Sequence, residues 1–317
     1  MDEREVDLLV VGAGPAGMAA ALVAAIEGLD VLLCEKSDQV GGTGATSAGT
    51  LWIPGNHQSR AAGLADSAEQ AEIYLQTLIG SGANHDLIKA YLQTGPTAID
   101  YLEAHTGVQF LPCGTHTDYR SDMRGAAISG RAIVPQPFDG RLLGADFRRV
   151  RAPIPEFMLL GGMMVSKEDI PRLIGRFRSL SSFIHSAKLV ARYFFDRLRF
   201  PRGTRVTMGN ALVSRLYQSL RQRQVPVLFD TAVVDLVGDR HGVAGARLDA
   251  SGKEFTVRTR KGVVLATGGY ARNRKFRAAF MPKPTPEHSL SFAGNSGISC
   301  CAHSRRLPAQ RLCASSP

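Results

Sequence analysis

Residues 8–26 read LLVVGAGPAGMAAALVAAI, nineteen consecutive residues without a charge. A run of that length matches the hydrocarbon thickness of a bilayer and could be read as a spanning helix. Its interior argues against that reading. Gly12, Gly14, Pro15 and Gly17 interrupt the run, and the β-branched stretch before them favours a strand that ends in a glycine turn and continues as an alanine-rich helix. The preceding MDEREVD is mostly acidic, whereas a secretory signal has a basic amino end before its apolar core. Neither membrane insertion nor export is expected.

The remaining pattern is that of an α/β protein, with room in 317 residues for about two domains or one large unit with insertions. A strand near 6–11, the glycine turn, a helix to about 27 and a strand near 30–34 lead into the glycine-rich GGTGATSAGT. Leu75, Leu78, Leu87, Ile88, Tyr91, Leu92, Ile99 and Leu102 recur at helical spacing over 64–105. Pro and Gly punctuate 108–165, which predicts irregular chain and short strands. Ser166 opens SKED, a capping box with Ser166 as N-cap and Asp169 at the third helical position.

A helix is predicted over about 181–200, where Pro201 stops it. Phe183, Ala187, Val190, Phe194 and Leu198 form one stripe, with Lys188, Arg192, Arg197 and Arg199 elsewhere. The stripe is expected to pack against the body of the protein, and the same pattern allows a peripheral membrane contact. From 225 to 269 the apolar period switches to two, with turns at DRHG and ASGK, predicting an antiparallel meander that feeds a buried apolar strand.

Charge is unevenly placed. Residues 1–100 hold 13 acids against 4 bases, and the rest hold 34 bases against 15 acids. These bases are scattered through apparent helices and strands, with no nucleic-acid motif beside them, so a basic solvated surface is expected and nucleic acid is not. The five cysteines make no spaced pair, and neither CGTH nor the CC-x-H near the end matches a common zinc ligand set. A reducing, cytoplasmic setting follows from that cysteine usage.

A dinucleotide needs its pyrophosphate held against bare backbone N–H groups and the positive end of a helix dipole, an approach that side chains would block. Gly12, Gly14 and Gly17 supply the G-x-G-x-x-G pattern between a strand and a helix. The next strand, DVLLCEK, ends on Glu35, 21 residues after Gly14, where a carboxylate can accept hydrogen bonds from ribose hydroxyls.

The chain then continues to GGTGATSAGTLWIPGN and, much later, to RKGVVLATGGY. With these motifs it resembles the two-dinucleotide-binding flavoproteins, within them the fumarate reductase/succinate dehydrogenase-like group, and most nearly the 3-ketosteroid Δ1-dehydrogenases. Gly41, Gly42, Thr43, Ala45, Ser47, Gly49, Trp52 and Pro54 match that branch's loop in order, while Gly44 and Ala48 depart from its usual Thr and Gly. PFDGRLLGADF, GGMMVSKEDIP, RGTRVTMGNALVSRL and TPEHSLSFAGNSG are similar to it as well, over residues 5–297.

The resemblance implies a Rossmann-like FAD-binding domain over 1–285 with a helical insertion at about 166–202. It implies the start of a catalytic domain at 286–297 and an unrelated, irregular tail over 298–317. The FAD ligands it implies are Gly12, Gly14, Gly17, Glu35, Lys36, Gly42, Thr43, Ser47, Gly49, Val233, Thr267 and Gly268. The cofactor is expected to be noncovalent, since no histidine lies between Lys36 and Leu51.

The implied reaction takes a proton and a hydride from adjacent carbons of a 3-oxosteroid ring, with a tyrosinate as base, flavin N5 as hydride acceptor and an external electron acceptor. A phenol ordinarily titrates near pH ~10, so the base needs neighbours that lower its pKa. A second tyrosine hydroxyl and a backbone N–H polarise the ketone. Tyr119, in TDYRSD, matches the tyrosine that supports the base; the base and the ketone-polarising tyrosine correspond to positions beyond this chain. After Gly297 the family pattern gives way to ISCCAHSRRLPAQRLCASSP, and an early stop after a frame change is the expected origin. Two other readings stay open, a noncatalytic FAD-binding fragment and a fumarate reductase-like enoate reductase.

Overall fold

The computed structural model describes residues 3–64, 66–82, 84–240 and 242–297. The uncharged run resolves as expected into strand β1 (Glu3–Val11), a turn, and helix α1 (Pro15–Ile26). Among the described residues no helix is long and apolar enough to cross a membrane. Strand β2 (Val31–Cys34) follows and pairs parallel with β1. Helices α2 (Ala68–Ile79) and α3 (His85–His105) fill the predicted helical stretch, their N-termini capped by Ser67 and Asn84. Short strands and 3₁₀ turns occupy 108–165.

Helices α4 (Asp169–Ile174), α5 (Leu180–Arg197) and α6 (Met208–Gln222) come next, then strands β3 (Val227–Leu228), β4 (Thr231–Asp239), β5 (Gly242–Ala250) and β6 (Lys253–Leu265), and helix α7 (Arg274–Phe280). One six-stranded sheet runs β3-β2-β1-β6-β5-β4. Its first half is parallel, and the β4–β5–β6 meander is antiparallel. The long β6 joins the halves: its amino-terminal part pairs with β5, and its register with β1 ends at Val11 opposite Leu265. The sheet therefore brings the turn after β1 and the exit of β6 together at one edge.

Strands β1 and β2 are apolar on both faces because both are covered. Val10, Val31 and Leu33 pack with Met18 and Leu22 of α1 and Val213, Leu216 and Leu220 of α6. Leu9, Val11, Leu32 and Cys34 pack with Ala246, Leu248 and Val257 of the meander. Burial pushes the Cys34 thiol up to about 12, with the neighbouring Glu35 charge adding to the effect, so this cysteine is an inert core residue.

A buried ionic network holds the loop that carries Tyr119. Arg131 donates to Asp66 at 2.9 Å and to Asp118 at 2.7 Å, and the Trp52 indole donates to Asp118 at 2.7 Å. The guanidinium also lies over the rings of Trp52 and Tyr74. Removing one member of such a cluster leaves buried charge without its partner. Arg131→Ala is expected to destabilise the fold by about 3–5 kcal/mol, read from denaturant unfolding followed by the emission of Trp52, the chain's single tryptophan. A loss below about 1 kcal/mol would mean that the two carboxylates find other compensation.

The α4–α5 segment departs from expectation in orientation. Asp169 closes half of the predicted capping box by accepting from the Ser166 N–H at 2.8 Å, although the helix itself starts at Asp169. Asp169 also accepts from Arg205 at 2.8 Å and lies 3.0 Å from His185 Nε2. Asp196 accepts from Arg141 Nε at 2.8 Å and from the Thr204 N–H at 2.8 Å. The buried face of α5 is thus Ser186, Leu189, Tyr193 and Asp196. Phe183, Phe194 and Leu198 of the apolar stripe face outward, and Ala187 is exposed with them. Ion pairs and hydrogen bonds, together with an apolar cluster in which Leu189, Tyr193 and the stripe residue Val190 pack with Met163 and Val165, seat this helix on the body.

Candidate functional site

At the sheet edge where β1 and β6 end, the chain bounds a cavity. The three glycines of the first turn have three different reasons to be there. Gly12 has φ +101°, and a Cβ on it would meet the Ala266 carbonyl oxygen at 2.5 Å. On Gly17 a Cβ would lie 1.8 Å from the Gly12 carbonyl oxygen, so its absence lets α1 close against the turn. Around Gly14, apart from its own chain neighbours, there is no protein atom within 4 Å of that position. The space beside Gly14 is therefore left clear by the chain, at the N-cap of a helix that no side chain caps. Uncapped N–H groups and a positive helix end form a cradle for an anion, and a second glycine that serves only close approach is what a pyrophosphate requires.

Glu35 is buried and held from two sides. Its Oε2 accepts from the Ala13 N–H at 2.8 Å, and its Oε1 accepts from the Ser37 N–H at 3.0 Å and the Ser37 hydroxyl at 2.9 Å. A carboxylate oxygen takes two donors, so Oε2, with one partner, keeps capacity on a residue that lines the cavity. Lys36 lines it too and donates to the Gly294 carbonyl; burial lowers its pKa from the ordinary lysine value, with Glu35 opposing that shift.

Gly42, Thr43, Val233, Thr267 and Gly268 complete the predicted residues in the wall. Gly17, Ser47 and Gly49 stand outside it. The Ser47 hydroxyl donates to the Gly44 carbonyl at 2.8 Å and accepts from the Gly49 N–H at 3.1 Å, while a Cβ on Gly49 would lie 2.4 Å from the Gly209 nitrogen. These two residues clamp the glycine-rich loop onto the start of α6. Tyr119 is 95% exposed and is likewise not part of the wall.

Among the lining residues not predicted as ligands, two come from a segment far along the chain. Phe292 and Asn295 reach the cavity because Thr43 Oγ1 accepts from the Phe292 N–H at 3.1 Å and from the Asn295 side-chain amide at 2.8 Å. Arg151 supports them, its guanidinium 3.6 Å from the centroid of the Phe292 ring and donating to the Ser37 hydroxyl at 2.9 Å. The signal for the first two was in SFAGNSG; nothing local marks Arg151. Among the described residues no cluster of three or more His, Cys, Asp or Glu side chains is placed to hold a metal ion. The cysteine-rich tail lies outside the described residues.

The sequence profile of a family described as "FAD binding domain" matches residues 7–306. A 4-oxocyclohex-2-ene-1-carboxylate 5-dehydrogenase of Sinomonas cyclohexanicum is 37% identical over 297 residues, 92% of this chain and 49% of that protein. A 3-oxosteroid 1-dehydrogenase of Mycobacterium tuberculosis is 33% identical, covering 94% of this chain and 53% of its own length. The crystal structure of a 3-ketosteroid Δ1-dehydrogenase from Sterolibacterium denitrificans, in complex with 1,4-androstadiene-3,17-dione, superposes with a TM-score of 0.85 at 31% identity, over 95% of this chain and 55% of that one. The chain spans about half the length of these relatives.

Proposed function

Since the chain belongs to the FAD binding domain family, with FAD as its cofactor, we propose that it forms the cofactor-holding part of a dehydrogenase acting on a cyclic ketone, with 3-oxosteroids the first class to test. The observation that carries this reading is the clear space at Gly14, set at an uncapped helix end beside a buried, pre-oriented carboxylate. In this reading the backbone N–H groups at the head of α1 hold the pyrophosphate, and Glu35 accepts from the adenosine ribose. Val233 meets the adenine through its backbone, and Gly42, Thr43, Thr267 and Gly268 flank the opposite end. Gly17, Ser47 and Gly49 act one step back, by fixing the turn and the loop. Bound flavin would take up a hydride from the carbon next to the acidic α-position of a ketone, with an external acceptor carrying the electrons onward.

Both curated relatives are named for oxidation of an oxo-substituted ring system, which favours a ring ketone over a dicarboxylate. Tyr119, on the loop pinned by Asp118 and Arg131, is assigned the supporting role beside a base that the described wall does not itself supply.

The test is the visible absorption spectrum of the purified chain before and after addition of FAD. A flavin spectrum is expected, with free FAD released on denaturation. Protein that stays colourless at saturating FAD, while showing the far-ultraviolet dichroism of a folded α/β protein, would overturn the cofactor assignment. Adding a 3-oxosteroid and an artificial electron acceptor then separates catalysis from flavin binding alone.

A further inference from the structure

We propose that Arg151 is the positioning residue that orients Glu35 for the ribose, a role that rests on the assignment of that carboxylate to the adenosine ribose. The observation is a half-buried cation behind the cavity wall. Its Nε is buried without a hydrogen-bond partner, and burial lowers its pKa from the ordinary arginine value, with the charges of Glu35 and Asp38 acting against that shift. Leaving a buried N–H unpaired costs free energy, so the use of this side chain is to be sought in the contacts it does make. The backbone anchors it: the Arg151 N–H donates to the Val40 carbonyl at 3.1 Å, and the Arg151 carbonyl accepts from the Asn210 amide at 2.7 Å. From that anchor the guanidinium reaches two elements remote in sequence. It lies 3.6 Å from the centroid of the Phe292 ring, and Nη2 donates to the Ser37 hydroxyl at 2.9 Å. A planar guanidinium can stack with its face and donate from its edge at once, which a lysine ammonium cannot.

The Ser37 hydroxyl carries the effect to Glu35. It has one proton and two acceptors within reach, Glu35 Oε1 at 2.9 Å and the Gln39 carbonyl at 2.9 Å. The ionised carboxylate is the stronger acceptor, and an N–H donated into the same hydroxyl oxygen polarises it further as a donor. With the Ser37 N–H at 3.0 Å, Oε1 then has its two donors. Oε2 has only the Ala13 N–H, at 2.8 Å, so the remaining accepting capacity of Glu35 is concentrated on that oxygen. An acceptor fixed before its ligand arrives loses less freedom on binding. Phe292 completes the clamp, since its N–H donates to Thr43 Oγ1 at 3.1 Å; the guanidinium stacked on it is thereby held between the Thr43 wall and the Glu35 wall of one cavity.

The test is the affinity of the purified chain for FAD and for ADP, which carries the ribose and pyrophosphate without the flavin, with dichroism as the control for fold. Arg151→Met keeps the length of the side chain and removes every donor; it is expected to weaken both ligands about tenfold. Arg151→Lys, which retains a charged donor, should recover part of that loss. Glu35→Gln should also weaken both ligands, and adding Arg151→Met to it should cost little more, because the arginine then has no carboxylate to orient. A residue that merely braces the fold would weaken binding by the same factor in either background. Ser37→Ala removes a single oxygen and repeats the cycle, with the same expectation, should Arg151→Met fail to fold. If Glu35→Gln binds ADP as the parent does, the ribose assignment itself fails, and this role fails with it. If Glu35→Gln weakens ADP while Arg151→Met binds like the parent, while lysine at 151 does no better than methionine, or while the losses at 35 and 151 multiply, the ribose assignment stands and Arg151 is not its positioning residue.

Discussion

Gly14→Val is expected to leave a folded chain that no longer retains flavin. Of the three glycines in the first turn, only Gly14 allows this separation of folding from binding, because a Cβ there meets nothing within 4 Å. The branched side chain would instead fill the space that the phosphates approach and separate them from the N–H groups of the turn. Hydrogen bonds to a charged group contribute about 1.5–3 kcal/mol each. Losing two corresponds to a drop of roughly a hundredfold or more in affinity. The companion Gly17→Val has the opposite character, since its Cβ would sit 1.8 Å from the Gly12 carbonyl oxygen; it should fail at folding rather than at binding. The measurement is the flavin-to-protein ratio and the FAD affinity of the variant, with dichroism as the control for fold. A folded Gly14→Val protein with the parent's flavin content and affinity would show that the pyrophosphate lies elsewhere.

What could be read from the sequence was whatever a local rule dictates. The φ of +101° at Gly12, the uncapped start of α1 and the carboxylate at Glu35 follow from a strand, a turn and a helix only a few residues apart. The meander followed from its period of two, and cover by helices on one side and by the meander on the other made both faces of β1 apolar. Orientation was less legible. The stripe on α5 was visible in the sequence, but a stripe says which residues share a face and not where that face points. That was decided by Asp169 and Asp196, whose partners Arg205, Arg141 and Thr204 come from other elements.

The cavity shows the same limit. Ser47 and Gly49 belong to the glycine-rich loop by sequence, but contact with Gly44 and Gly209 turns them toward α6. Phe292 and Asn295 enter the wall through Thr43, some 250 residues earlier. No periodicity within either segment encodes a pairing across that separation.

Residues 1–317 alone are expected to turn over a 3-oxosteroid at least about a thousandfold more slowly than the same chain given a relative's continuation after Gly297. The reason lies in the cavity wall. Removing a proton next to a ketone needs a base within hydrogen-bond reach, and positioned acid–base groups contribute about 10²–10⁴-fold. The described wall offers Glu35, whose carboxylate is held by the Ala13 and Ser37 N–H groups and is assigned to the ribose, Lys36, which donates to Gly294, and no tyrosine or histidine. Tyr119 is 95% exposed and outside the wall, so it can support a base only when a further segment covers it. Ketone polarisation by a hydroxyl and an N–H is a second contribution of comparable size. Groups that act as a unit lose most of their effect together. The assay is 3-oxosteroid-dependent dye reduction at equal bound flavin, which keeps a difference in cofactor uptake from passing as a difference in chemistry. Comparable rates for the two proteins would mean that a base is already present within residues 1–317, and Tyr119→Phe in the shorter chain would then show whether Tyr119 is that base.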